Sequence, residues 1–286
     1  MRRFLTDILC TLLLFTVICT TIEPLFSSAD NDYSFKYGQL VDRSDKIKYL
    51  LLGNSLFANS FNPHVLGDST LCVASQSRTL NYDAALLRNH IENLTNIEAV
   101  LIPMSGHLFA IGKDNDDYVR FCHRRYFHLA AEGKIYDNSA LFTGQMRLGL
   151  LNSKHDCDSA GYSPVHRTWD GLCHPFVHPK TATTLSNRPH YARYLTEIAA
   201  LCHENDVRLI VVTPPATRIY EERLSDSIMA AMRAVVASVS AHYPICYHCY
   251  HGDKQFTADS LYSDDLHLNH TGATLFAQRV KEDFGL

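Results

Sequence analysis

Five short runs of almost purely apolar residues dominate this chain, and each is separated from the next by a longer, helix-patterned stretch. "KIKYLLLG" (46–53), "TLCVAS" (70–75), "IEAVLIPM" (97–104), "VRLIVVTPP" (207–215) and "YPICYHCY" (243–250) read as strands. A strand with one wet face alternates apolar and polar residues; strands this uniformly apolar are buried on both faces. Between them "NYDAALLRNHIENL" (81–94), "PHYARYLTEIAALCHEND" (189–206), "ERLSDSIMAAMRAVVASVSAH" (222–242) and "TGATLFAQRVKEDF" (271–284) carry helical spacing. The pattern predicts an α/β fold: a flavodoxin-like three-layer α/β/α sandwich around a mostly parallel sheet of about five strands. In such sheets ligands and chemistry gather beyond the carboxyl ends of the strands.

Residues 105–186 interrupt the alternation. They are rich in Tyr, His and Asn, with helical patterns near 116–131 and 138–151. This stretch is an insertion into a domain spanning 30–286, either beside the active-site face or as a structural excursion. The first segment, 1–29, stands apart. Arg2 and Arg3 precede "FLTDILCTLLLFTVICTTI", a positive end followed by an apolar run, and Ser27 and Ala29 form a passable cleavage site. It reads as a membrane anchor, in preference to a cleaved signal, with the positive end in the cytoplasm and the body exported.

Composition narrows the function. At 46% hydrophobic and 20% charged, with a formal net charge of -4, the chain has no basic field that would attract nucleic acid. No phosphate-cradling glycine loop is present. "CYHC" (246–249) has C-x-x-C spacing, but it lies in a strand, where positions three apart face opposite ways, so a redox or zinc pair is not expected. "HDCD" (His155, Asp156, Cys157, Asp158) and "CHPFVHP" (Cys173, His174, His178) offer metal-ligand residue types without finger-like spacing. No metal or cofactor is assigned.

Two stretches carry chemistry. "LLLGNSLF" places Ser55 at the turn after the first strand, as either a helix cap or a nucleophile. "LYSDDLHLNHTG" (261–272) holds Asp264 and His267 at D-x-x-H spacing after the last strand. A serine nucleophile needs a base, and the base an orienter. In a parallel sheet both loops open on one edge, so residues remote in sequence can meet.

"GNS" after the first strand, "VVTPPATRIY" and "SDDLHLNHTGATLF" together resemble the SGNH/GDSL hydrolases, in particular the membrane-anchored extracytoplasmic branch serving D-alanyl and O-acetyl transfer on envelope polymers. The resemblance covers about residues 46–112 and 189–286. It implies Ser55 as nucleophile, His267 as general base and Asp264 as its orienter. Asp265 is then a solvated neighbour, His270 a surface residue, and Asn269 and Thr271 capping groups. The family draws oxyanion donors from a glycine in a second block and an asparagine in a third. Here those places read "SQSRTLNYD" and "PMSGHLF", so the candidate donors are a backbone N–H of Ser77 or its neighbours in the first, and Ser105, Gly106 or His107 in the second. One such donor is worth about 10²–10³ in rate. The implied function is an esterase or acyltransferase acting on an acyl ester or glycan, with any transferred acyl group supplied by a membrane-embedded partner. The alternatives are an inactive scaffold that keeps the fold and, more remotely, an exported metal-binding protein.

Overall fold

The computed structural model describes residues 2–27, 30–106, 109, 117–129, 154–171 and 188–286. Five strands, β1 (Tyr49–Leu51), β2 (Thr70–Cys72), β3 (Ala99–Pro103), β4 (Arg208–Thr213) and β5 (Ile245–Cys249), form one sheet in the order β2-β1-β3-β4-β5. All four pairings are parallel. Each expected strand is present, trimmed at both ends where its backbone leaves the ladder.

Alternate residues along each strand bury against different layers. Leu50, Val100, Ile102, Leu209 and Val211 pack with helices Leu80–His90, Arg188–Glu204 and Asp226–Ser240. Their neighbours Leu51, Leu101, Ile210 and Val212 pack on the opposite face with Phe57, Phe61 and helix His270–Phe284. This two-sided burial is the physical reason the strands carry no polar alternation, and it makes the three-layer sandwich expected from the pattern.

Several boundaries differ from the sequence reading. The pattern at 81–94 ends as helix at His90 and closes in a 3-10 turn, Ile91–Asn93. The stretch at 222–242 divides into helices Arg218–Arg223 and Asp226–Ser240. An unexpected helix, Asp32–Asp42, precedes β1, capped by Asn31. Of the two helices expected in the insertion, one is seen as Asp117–Arg125; the other, 138–151, lies outside the described residues. Helix Arg2–Ser27 contains a stretch, Arg3–Thr21, long and apolar enough to cross a membrane, and no part of it is buried against the body. That is compatible with an anchor or a signal sequence.

Cys246 packs toward one layer and Cys249 toward the other, the opposite facing expected within a strand. The "HDCD" residues go separate ways. His155 stacks on Phe35 and approaches Asp30, the backbone N–H groups of Asp156 and Cys157 donate to Asp32, and Asp158 meets His64. Among the described residues no His, Cys, Asp and Glu side chains cluster as a metal site. Cys173, His174 and His178 lie outside the described residues.

Candidate active site

β1 ends at Leu51, and the chain turns sharply through Gly53, whose φ is +100°. A β-carbon there would overlap the Pro103 ring at the end of β3. Glycine meets both demands, the left-handed backbone and the close approach of a neighbouring strand end. Asn54, not Ser55, is the N-cap of the short helix Ser55–Ala58, its side chain accepting from Leu56 N–H. The Ser55 hydroxyl is therefore not spent on capping.

It is bonded across 212 residues of sequence instead. Ser55 Oγ lies 2.8 Å from His267 Nε2. His267 Nδ1 lies 3.0 Å from both carboxylate oxygens of Asp264. Burial alone would raise the Asp264 carboxyl, but hydrogen bonds from the His267 ring, the attraction of that ring, and the backbone N–H groups of His267 and Leu266 outweigh it and bring it down to about 2. Asp264 is thus an ionised, acceptor-only group, so Nδ1 carries the ring proton and Nε2 is left to accept the serine hydroxyl's. The structure brings together the three residues singled out in the two motifs.

The loop bearing the acid and base folds on itself. Ser263 N–H donates to His267 O at 2.8 Å, Asp264 Oδ1 accepts from Leu266 and His267 N–H at 2.9 and 2.7 Å, and Tyr262 bridges Leu268. Asn269 caps the last helix through Gly272 N–H while its amide donates to Ser260 and Tyr262 carbonyls. Thr271 is an exposed residue of the first turn rather than the cap. His270 begins the helix half-buried, its ring 3.3 Å from the Tyr162 hydroxyl, and is not a free surface residue.

Asp265 requires a correction. It is 1% exposed, not solvated, and among the described residues neither carboxylate oxygen finds a hydrogen-bond partner. Burial, then the charge of Asp264, raises its carboxyl above the usual range. Its backbone carbonyl is the part in use, accepting from Thr217 N–H and Oγ–H at 3.2 and 2.8 Å. Alternation explains the result: the tight turn that aims Asp264 at His267 aims the next side chain inward.

The oxyanion candidates are distributed around the same sheet edge. Among the described residues the Ser55 N–H donates to no group. Ser77, in the loop after β2, is exposed with φ +54°, and Ser105 and Gly106 follow β3, both buried. His107 lies outside the described residues.

Two contributors were not evident from sequence. The first is segment 154–171 of the insertion, which runs along the site. Ser163 N–H donates to Ala58 O, Trp169 N–H to Tyr262 O, and His270 N–H to Val165 O. It carries Arg167, largely exposed, to 3.9 Å from Asp264. Nothing in "SPVHRTWD" signals this, because the stretch has no periodicity to place it. The second is Asp83, buried under the nucleophile turn, which accepts Gly53 N–H at 3.1 Å.

No protein-family model matches the chain, and no curated protein matches it. Solved structures resemble it at low identity. A GDSL-like lipase from Bacteroides thetaiotaomicron is 12% identical with a TM-score of 0.41, covering 87% of this chain and 99% of that one. A lipase/acylhydrolase from Enterococcus faecalis is 14% identical at 0.39, covering 84% and 96%. A carbohydrate esterase family 3 protein from Talaromyces cellulolyticus is 13% identical at 0.42, covering 83% and 96%. With TM-scores below 0.5, these likenesses add nothing to what the geometry itself carries.

Proposed function

We propose that this chain is a serine-dependent esterase or acyltransferase of the SGNH/GDSL type. The observation that supports it is the unbroken chain of hydrogen bonds from Ser55 Oγ through His267 to Asp264. Ser55 Oγ attacks the carbonyl carbon of an acyl ester as His267 Nε2 takes its proton. The Ser55 N–H faces the developing oxyanion, and His267 returns the proton to the departing alkoxide. Asp264 holds the ring in the required tautomer and balances the imidazolium. The acyl group then leaves Ser55 for water or for a sugar hydroxyl. The exposed apolar helix behind Arg2 and Arg3 supports a body held at the outer face of a membrane, where acyl esters of envelope glycans are the substrate class.

The test is labelling of the full chain with a fluorophosphonate probe, alongside hydrolysis of p-nitrophenyl acetate. Wild type is expected to label and turn over. Ser55→Ala is expected to lose the label and at least about 10⁴-fold in kcat, as is His267→Ala in rate, since such residues act as a unit. Full activity in Ser55→Ala overturns the proposal. A second reading, a binding protein that keeps the fold without catalysis, is favoured by one observation: no asparagine stands in "PMSGHLF" after β3. Under it, wild type neither labels nor hydrolyses.

A further inference from the structure

Arg78 and Asp83 form an ion pair at 2.7 Å in which both side chains are almost wholly excluded from solvent, at 0% and 1% exposure. Such a pair is a poor way to stabilise a core. Desolvating two charges costs about as much as their attraction returns, and apolar residues of similar volume commonly serve a fold as well or better. What apolar residues cannot do is make the bonds these two side chains make. Asp83 Oδ1 accepts the Gly53 N–H at 3.1 Å, two residues before Ser55. Arg78 donates to Val73 O at 3.0 Å and to Tyr82 O at 3.4 Å. Its guanidinium lies over the Phe127 ring at 5.1 Å. The Gly53 carbonyl in turn accepts from Ser75 N–H at 3.1 Å. Ser75 Oγ is itself held at 3.3 Å by the buried His123 ring, whose Nδ1 donates to Val119 O at 2.8 Å.

Two loops are joined by this network. One is the turn that carries Ser55. The other is the Val73–Arg78 loop after β2, which presents Gln76 and Ser77 outward at the same sheet edge. We propose that Arg78 and Asp83 are positioning residues, a buried tie that fixes the Ser55 turn against the loop after β2, so that nucleophile and oxyanion donors keep one relative geometry through the reaction. Misplacement of about 1 Å at such a site costs about 10²-fold in rate. The kinetic consequence rests on the reading of Ser55 as nucleophile; the coupling of the two loops does not.

The test replaces the pair by an apolar one, Arg78→Met with Asp83→Leu, in the full chain. This removes both charges together and leaves no unpaired ion. The expected result is a folded protein with a lowered unfolding midpoint, because Gly53 N–H and Val73 O lose their partners, with kcat on p-nitrophenyl acetate reduced about 10- to 100-fold and KM within about twofold, since positioning acts on the reacting atoms and not on ground-state binding. Amide exchange of the peptide spanning Leu51–Ala58 is expected to quicken about tenfold, while peptides from Asp226–Ser240 stay unchanged. Restoring an oxygen acceptor for Gly53 in Arg78→Met with Asp83→Asn is expected to recover slow exchange there. A folded apolar variant with wild-type kcat and wild-type exchange at Leu51–Ala58 overturns the proposal. If that variant does not fold, exchange in the unaltered protein decides. Amides of Gly53–Leu56 and of Val73–Arg78 are expected to open together, with one dependence on denaturant, and separate opening overturns the tie. If Ser55→Ala keeps wild-type activity, the serine reading fails, and the exchange result alone then judges the tie.

Discussion

The loop Ser263–Asn269 holds its shape chiefly with bonds made to itself, whereas the turn carrying Ser55 is held by residues from three other parts of the chain. In the first, Asp264 accepts two N–H groups of its own loop and one ring nitrogen, and Ser263 closes onto His267. In the second, Gly53 depends on Asp83 below, Ser75 beside and Pro103 above. A self-closing loop is a local device and leaves a local signature. A turn pinned from outside has only its glycine and serine to show, and its geometry is as good as the elements that pin it.

The sharpest way to break the comparison is within the loop itself. Asp264→Asn is expected to lower kcat on a simple acetyl ester by about 10³–10⁴, because an amide no longer fixes the His267 tautomer. Asp265→Asn, one residue away, is expected to leave kcat within about threefold, because among the described residues its backbone carbonyl and not its carboxylate is engaged. A larger loss in Asp265→Asn would move the orienting role to that residue.

On the other side, Gly53→Ala is expected to cost about 1–3 kcal/mol of stability, from the positive φ together with the clash on Pro103. It should also lower kcat, since Ser55 moves with the turn. Denaturant unfolding with parallel kinetics measures both, and an unchanged midpoint would show that the turn has slack. A smaller effect, about 1 kcal/mol, is expected for Asn269→Ala, which removes the cap of the last helix but leaves the D-x-x-H turn closed. Chemical denaturation checks the loss, and kcat should fall far less than in Asp264→Asn.

The smallest effect separates two neighbours by sign. Asp264 is held below its ordinary value of 3.8, at about 2, so its contribution to stability is full above about pH 4 and is lost as pH falls toward 2. Asp265 is raised, so folding favours its protonated form, and the stability this gives is present below the ordinary value and lost as pH rises through the raised one. Asp265→Asn should therefore raise Tm at pH 7, with the gain shrinking toward pH 4. Asp264→Asn should lower Tm at pH 7, with the loss shrinking below pH 4. Calorimetric scans across that window read both, and slopes of the same sign would contradict the opposite environments of the two carboxyls.

Much of the architecture is written along the chain because it depends on short-range pattern. Uniformly apolar strands separated by amphipathic helices point to a parallel sheet with two covered faces, an arrangement that buries both sides of a strand such as "VRLIVVTPP". D-x-x-H is legible for the same reason: a turn of four residues sets which side chains share a side. The placement of Cys246 and Cys249 on opposite faces follows from the two-residue period of a strand. The helix Arg3–Thr21 is readable as apolar length alone.

Only the tertiary structure decided the rest, because it depends on what lies across the fold and not along it. Ser55 and His267 meet because β1 is an interior strand, between β2 and β3, and the loop before the last helix brings His267 to the turn that follows it. The tight turn points the Asp265 side chain inward, but only the fold supplies Thr217, 48 residues away, as the partner of its carbonyl. Segment 154–171 borders the site through bonds to Ala58, Tyr262 and His270, none of which its own composition announces. Asp83 reaches Gly53 because it stands in the first turn of helix Leu80–His90, just beyond the loop after β2, and β1 is the neighbour of β2 in the sheet. A sequence records the local preferences of each of these residues; the partner that satisfies a buried N–H or carboxylate is chosen when the layers close.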